Sequence, residues 1–225
     1  MKKYLVATIF VLAGFSSVQA HEKQFKDDWF TGHMQIWDAY KKGLSEEPGK
    51  RCLEVGSYEG RGTIYIAENF CNGKGSYVDA VDTWNGSVEH DDSQKKGLYE
   101  RFQNNLKDHI KGKRVIPHRG MSSDILMKFV QEVRKGDRQK YDFIYIDASH
   151  IAKDVMMDEV LCWEILKDGG LLFFDDYEWG DKDNKPWMTP KAAIDGFLKS
   201  CSTLYEFLPS SSQFQVHVRK ISNAP

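Results

Sequence analysis

Phe143-Ile144-Tyr145-Ile146-Asp147 and, further on, Leu171-Leu172-Phe173-Phe174-Asp175-Asp176 decide how this chain folds. Each is an apolar run that stops at aspartate. Runs of this length, rich in β-branched and aromatic residues, form strands buried on both faces of a parallel sheet. Between them, from about Ile151 to Leu166, Met156, Val160 and Trp163 recur at helical spacing, and Gly169-Gly170 is expected to end the helix. Strand, helix and strand make a β-α-β unit, and its right-handed crossover sets the two strands parallel. Asp147, Asp175 and Asp176 then emerge together at the carboxyl edge, where open α/β sheets bind ligands. Three acids in one place require a cation, protons or water.

The alternation continues outward in both directions. Arg51 to Val55, Tyr77 to Val81 and Val115 to His118 read as strands. Thr63 to Phe70, the stripe Leu98, Phe102, Leu106 and Ile110, and Ser122 to Val133 read as helices. Pro190 to Cys201 is a last helix, followed by strands at Thr203 to Phe207 and Phe214 to Lys220, the latter alternating through Phe214, Val216 and Val218. The expected fold is α/β: a doubly wound, mostly parallel sheet with a terminal antiparallel strand pair. Residues 21–49 form a helical lead-in whose contacts come from Trp29, Phe30, Met34, Ile36 and Trp37, and residues 50–225 form the domain proper.

Lys2-Lys3, the apolar stretch Tyr4 to Phe15 and the small-residue end Val18-Gln19-Ala20 predict a signal peptide over 1–20, with export to the periplasm or medium. The apolar stretch is short for a membrane anchor, and no later segment predicts a span. A new terminus at His21 offers a copper-chelating amine and ring, but that chemistry belongs to β-sandwich enzymes, not to an α/β sheet. A formal charge of -2, which losing Lys2 and Lys3 makes more acidic, does not indicate a nucleic-acid partner. The expected partner is a small molecule, and self-association into a homo-oligomer stays open. Cys52, Cys71, Cys162 and Cys201 match no zinc spacing; disulfides are compatible with export, and Cys52 and Cys162 equally suit a core.

Leu53-Glu54-Val55-Gly56-Ser57-Tyr58-Glu59-Gly60-Arg61-Gly62-Thr63 lies at a strand-to-helix turn. Its glycine spacing departs from the dinucleotide fingerprint, which argues against a dehydrogenase, and it lacks the Lys-Ser or Lys-Thr of a P-loop. An acid, Glu54, inside the turn suits a cationic ligand. Asp82, ending the second strand, stands where a carboxylate accepts ribose hydroxyls. A positively charged nucleoside without phosphate satisfies both.

The order Glu54-x-Gly56-x-x-x-Gly60, Asp82, Gly120-x-Ser122-Ser123 and Asp147 resembles a class I S-adenosylmethionine-dependent methyltransferase, over most of Lys50 to Lys220. Ile146-Asp147-Ala148-Ser149-His150, Leu166-Lys167-Asp168-Gly169-Gly170 and Asp175-Asp176-Tyr177 are similar to the methyltransferase-24-type domain. The resemblance implies a Rossmann-like sheet and S-adenosylmethionine as donor. It implies that Glu54, Gly56, Ser57 and Gly60 hold the methionine part, Asp82 the ribose, and Thr83 with Ser122 and Ser123 the adenine. Asp147 is placed among both the donor-binding and the catalytic residues. The acids are also similar to those of divalent-metal O-methyltransferases, catechol and macrocin types included. That implies Mg²⁺ or another divalent cation on Asp147, Asp175 and Asp176, activating a hydroxyl of a small acceptor. His150 stands where the catechol type has a lysine base. Ser149 replaces the second acid of the macrocin type.

Plainer readings accompany each of these. Strand-end aspartates cap helices, and His150 can be an ordinary helix-start residue. Asp176 to Pro190, with Trp179 and Trp187, is either a lid or a loop packed on its own aromatics. Glu89-His90-Asp91-Asp92 reads as an exposed turn before a helix. A catalytically silent nucleoside-binding module of the same fold is the alternative function.

Overall fold

The computed structural model describes residues 23–180 and 185–222, so the expected signal peptide and His21 lie outside the described residues. Its strands are β1 Arg51–Val55, β2 Tyr77–Asp82, β3 Val115–Arg119, β4 Tyr141–Ile146, β5 Leu166–Phe174, β6 Tyr205–Phe207 and β7 Val216–Lys220. They form one sheet in the order β3-β2-β1-β4-β5-β7-β6. β1 to β5 pair in parallel, whereas β7 runs against both β5 and β6. The order reverses between β1 and β4, which opens a crevice at their carboxyl ends.

Side chains alternate across the pleat, and both faces are buried. Cys52, Phe143, Tyr145 and Phe173 face one core, with Trp37, Phe70 and Phe102. Leu53, Val55, Ile144, Ile146, Leu172 and Phe174 face the other, with Phe129, Trp163 and Phe197. The first core lies under the lead-in, α2 (Arg61–Asn69) and α4 (Leu98–Asn105); the second lies under α6 (Ser122–Lys135), α7 (Ala152–Ile165) and α8 (Pro190–Ser200). The remaining short helices are α1 Met34–Trp37, α3 Asp92–Lys95 and α5 Lys107–Lys111. Trp37 of α1, fully buried, stacks on Phe70 and meets Phe143, Tyr145 and Phe173 edge-on. Aromatic contacts thus fasten the lead-in to the sheet. Among the described residues no helix is long and apolar enough to cross a membrane.

Three local expectations are corrected. The Leu98-to-Ile110 stripe is two helices broken at Leu106, whose buried side chain packs against Gly60. Gly169-Gly170 does not end α7: Leu166 already pairs with Tyr141, and Lys167 to Gly170 bulge out before Leu171 pairs with Phe143. In β7 the alternation does not separate core from solvent, because both faces are covered: Val218 lies in the second core and His217 packs on Phe173 and Tyr40 on the other side. Gln215 and His217 are buried as well as Val218, and Phe214 is exposed.

Cys52 and Cys71 form a disulfide from β1 to the end of α2, while Cys162 and Cys201 are free. Lys220 of β7 is buried and donates from Nζ to Trp163 O at 2.6 Å and Leu166 O at 3.1 Å, satisfying carbonyls at the end of α7.

Glu159 on α7 is fully buried and neither carboxylate oxygen has a partner. Burial, then the charge of Asp158, pushes it up from 4.5 to about 9. The folded chain therefore keeps a proton that the unfolded chain releases. Stability from this group is complete below pH 4.5 and is lost as pH rises towards 9. Glu159→Gln is expected to stabilise the protein by on the order of 2 kcal/mol at pH 8 and negligibly at pH 4.5, read from urea midpoints. Equal effects at both pH values would contradict this account.

Candidate active site

The β1–α2 turn is shaped by contact with its neighbour across the switch point. Gly56 adopts φ +90°, and a Cβ there would stand 1.7 Å from the Asp147 carbonyl oxygen. Only glycine lets the two loops touch. Gly60, at φ +83°, is the uncapped residue before α2, and a Cβ on it would strike Leu106 at 2.1 Å. It packs closely against Leu106 and Phe102.

Glu54 is buried at the end of β1 and accepts a hydrogen bond from Thr63 Oγ1. Burial pushes it up to about 8 despite that bond. Ser57 is also buried; it lies near enough to Glu54 to favour its charge, yet its Oγ has no aligned hydrogen-bond partner. Asp82, at the end of β2, accepts from Tyr58 N at 2.8 Å and Trp84 N at 2.6 Å. Burial raises it, and these backbone donors oppose the rise. Each oxygen accepts one backbone N–H, leaving lone pairs for a ligand's hydroxyls.

At the ends of β4 and β5 the three acids arrive together, as expected. Tyr145 Oη lies 3.1 Å from Asp147 Oδ2 and closer still to Asp175 Oδ2. One hydroxyl carries one proton, so it serves a single carboxylate at a time. Burial, followed by the charges of Asp175, Asp176 and Glu54, pushes Asp147 well above the usual carboxylate range. Asp175 is raised too, by burial and then by Asp176. It is held from the far side: Gln215 Nε2 donates to Oδ2 at 2.9 Å, and His33 stands at 3.9 Å. Gln215 is itself fixed by Trp37 Nε1 at 2.8 Å.

Asp176, at φ +58°, contacts His150 Nε2 at 2.8 Å, while His150 Nδ1 lies 3.3 Å from Glu89. Trp179 packs over the imidazole with ring centroids 3.9 Å apart. Burial pulls His150 down, but Asp176 and then Glu89 outweigh it and raise it. The turn expected at Glu89 to Asp92 is present: Asp91 caps α3 in a reciprocal box with Gln94.

Metal coordination by Asp147, Asp175 and Asp176 gains no support from this arrangement. Asp175 Oδ2 accepts from Tyr145 and Gln215, and Asp176 Oδ2 meets His150. Among the described residues no three Asp, Glu, His or Cys side chains gather closely enough to hold an ion.

A cavity in the crevice is lined by Glu54, Gly56, Ser57 and Asp147, four of the residues singled out in the sequence. Asp82, Thr83, His150, Asp175 and Asp176 stand outside its lining. Thr83 accepts from Asn85 N at 3.2 Å, and the Ser122 hydroxyl hydrogen-bonds Asp158 of α7. Ser123 lies beside it in the first turn of α6. The cavity's roof was not foreseen: Phe25, Asp27, Trp29 and Phe30 of the lead-in cover it. Tyr145 was within reach of sequence reasoning, since it shares a strand face with Asp147. Gln215 was not, because its partner is 40 residues away.

A sheet in this order, with a glycine turn after β1 and an acid closing β2, defines a class I methyltransferase-like protein. Residues 53–177 match the family model described as a methyltransferase domain, and the chain belongs to that family. No curated protein matches it. Among solved structures it is similar to cofactor-bound Rv0187 from MTB, at 13% identity and TM-score 0.63, covering 88% of this chain and 84% of that one. It is also similar to the O-methyltransferase from Bacillus cereus in complex with SAH, at 14% identity and TM-score 0.53, covering 83% and 78%. At these identities the likeness establishes the fold.

Proposed function

We propose that the chain transfers the methyl group of S-adenosylmethionine to a hydroxyl oxygen of a small acceptor, with His150 receiving the proton. The observation that carries this reading is the contact between Gly56 and Asp147, which sets the donor turn against the acid edge that bears His150. The nucleoside would lie with its ribose on Asp82 and its sulfonium between Glu54 and Asp147, whose raised proton affinities a bound cation would lower. Attack by the acceptor oxygen forms a C–O bond as the C–S bond breaks, leaving the thioether nucleoside neutral.

Both His150 nitrogens face carboxylates, so one contact must yield for the ring to take a proton from the acceptor. Glu89 is the looser partner, at 3.3 Å from an exposed loop, and the acceptor would replace it at Nδ1. Asp176 would then hold Nε2–H and stabilise the imidazolium. Metal assistance stays outside the proposed reaction, since no three acidic, histidine or cysteine side chains among the described residues gather to hold an ion. The Cys52–Cys71 disulfide supports export to an oxidising compartment.

A panel of hydroxyl-bearing acceptors with labelled donor tests the reading. His150→Gln is expected to lower kcat by about tenfold to a hundredfold and to remove the acidic limb of the pH profile, with donor affinity retained. Donor binding with no turnover on any acceptor would instead favour the silent binding module.

A further inference from the structure

The opposite edge of the sheet, where β1 and β4 begin, carries a second and larger hollow. It encloses about 330 Å³, against about 50 Å³ for the cavity beside the donor turn, and that size suits a small molecule. Its wall comes from four places in the chain: the lead-in turn at Lys42 and Gly43, Lys50 ahead of β1, the β5 bulge from Lys167 to Gly170, and Arg219 of β7. Residues 167–170 have no partner in β4, because Tyr141 pairs with Leu166 and Phe143 already with Leu171. A Cβ on Gly43 or Gly169 would meet nothing within 4 Å, so the rim leaves room for a ligand.

Four cations line this hollow, Lys42, Lys50, Lys167 and Arg219, against two acids, Asp142 and Asp168. The whole chain has a formal charge of -2, so the local surplus does not follow from composition. Asp142 is occupied within the wall: it accepts from Arg51 N at 2.9 Å and Lys167 Nζ at 2.8 Å, and lies 3.5 Å from Lys50 Nζ. One carboxylate thus anchors two ammonium groups and neutralises only one. Asp168 is shared with the buried Lys220 behind the wall: burial and then Lys140 pull that lysine down to about 8, and Asp168 opposes the fall. Arg219 meets Glu206 at 3.5 Å with both side chains about half exposed, a pair that contributes little and exchanges readily. Lys42 makes no hydrogen bond or ion pair among the described residues.

We propose that this hollow binds a small phosphate monoester, its dianionic phosphate held by Lys42, Lys50, Lys167 and Arg219. The site is separate from the donor crevice, and no step of methyl transfer depends on it. Four cations opposed by two acids leave a surplus of two charges, which a dianion matches. The arrangement of the wall selects the shape. Because the cations come from four separate segments, a tetrahedral group with three terminal oxygens reaches several of them at once, whereas a planar carboxylate presents only two acceptors. The lysine stems adjust to those oxygens, and the guanidinium supplies a two-pronged donor. Leu44 and Leu171, the apolar residues of the wall, remain for the organic part of the ester.

Calorimetric titration of the full chain at about pH 7.5 with glycerol 3-phosphate, inorganic phosphate, succinate and glycerol tests the site, since the phosphates are then largely dianionic. Glycerol 3-phosphate is expected to bind most tightly, inorganic phosphate next, succinate about tenfold weaker than the ester, and glycerol not at all. Lys42→Gln should weaken both phosphate probes about fivefold, and Lys42→Gln combined with Arg219→Gln about thirtyfold. Neither side chain holds the fold, so the melting temperature should stay within about 2 °C. Asp168→Asn removes an opposing charge and should tighten both phosphate probes several-fold. Saturating S-adenosylhomocysteine should leave all of these affinities unchanged. Wild type that binds neither phosphate probe at about 10 mM, or phosphate affinity unchanged in the double variant, overturns the proposal. Succinate or inorganic phosphate binding more tightly than the ester overturns the ligand class, and loss of binding beside S-adenosylhomocysteine overturns the location.

Discussion

Gly56→Ala is expected to abolish donor binding and to lower the unfolding free energy by about 3 kcal/mol or more. Two independent costs combine. At φ +90° an L side chain is strained in any surroundings, and here the new methyl carbon would also stand 1.7 Å from the carbonyl oxygen of Asp147. That oxygen belongs to backbone already committed in the sheet, since Asp147 N donates to Val55 O at 2.8 Å. The β1 and β4 tips cannot separate by the missing distance without breaking this bond and the Gly56 N to Val81 O bond at 2.8 Å. Relief must come from the turn itself, which would swing out of the crevice and carry Ser57 and Tyr58 with it. A thermal melt and a titration with the product nucleoside measure both effects. A variant that binds within a few-fold of wild type would show that the two loops are not rigidly apposed.

Asp82→Ala is the second large effect, and it differs in kind. The fold should survive, because the residue sits at the end of β2 and packs little hydrocarbon. Donor affinity should fall by about a hundredfold or more, the cost of losing two charge-assisted hydrogen bonds to ribose. Two further donors, the N–H groups of Tyr58 and Trp84, lose their acceptor, which loosens the turn on both sides. Asp82→Asn keeps one acceptor oxygen but turns an NH2 group towards either Tyr58 N or Trp84 N, and should fall between wild type and Asp82→Ala. Comparing nucleosides with and without a ribose 2′-hydroxyl identifies the origin: if Asp82→Ala penalises both equally, Asp82 acts only on the backbone.

The strands and the donor turn were readable in the sequence because burial on both faces leaves a dense compositional mark. Phe143 to Ile146 and Leu171 to Phe174 contain no charged residue, and their short length and β-branched and aromatic content favour a buried strand over a helix. The positions of Glu54, Gly56 and Asp82 at strand ends were legible because turn glycines and acids gather at the carboxyl end of a parallel strand. The roof over the cavity was not. Residues 24–30 mix charges with aromatics and lack a period, and their anchors are distant in the chain, as with Gln24 and Asn105 at a separation of 81. The Cys52–Cys71 pairing was equally hidden, since sequence offers every combination of four cysteines. The metal expectation is left without support for a related reason. Adjacent strand ends set where Asp147, Asp175 and Asp176 begin, but Gln215, Tyr145 and His150 decide where their oxygens point.

The disulfide joins residues 52 and 71, a separation of 19, and the ring it closes contains the entire turn from Glu54 to Thr63. Such a ring removes about 3 kcal/mol of disorder from the unfolded chain. Because that restriction acts on the unfolded chain, it counts towards the stability of the whole cooperative sheet. A thiol reductant would therefore lower the melting temperature of both cores together, and the crevice would lose its shape only as the sheet does.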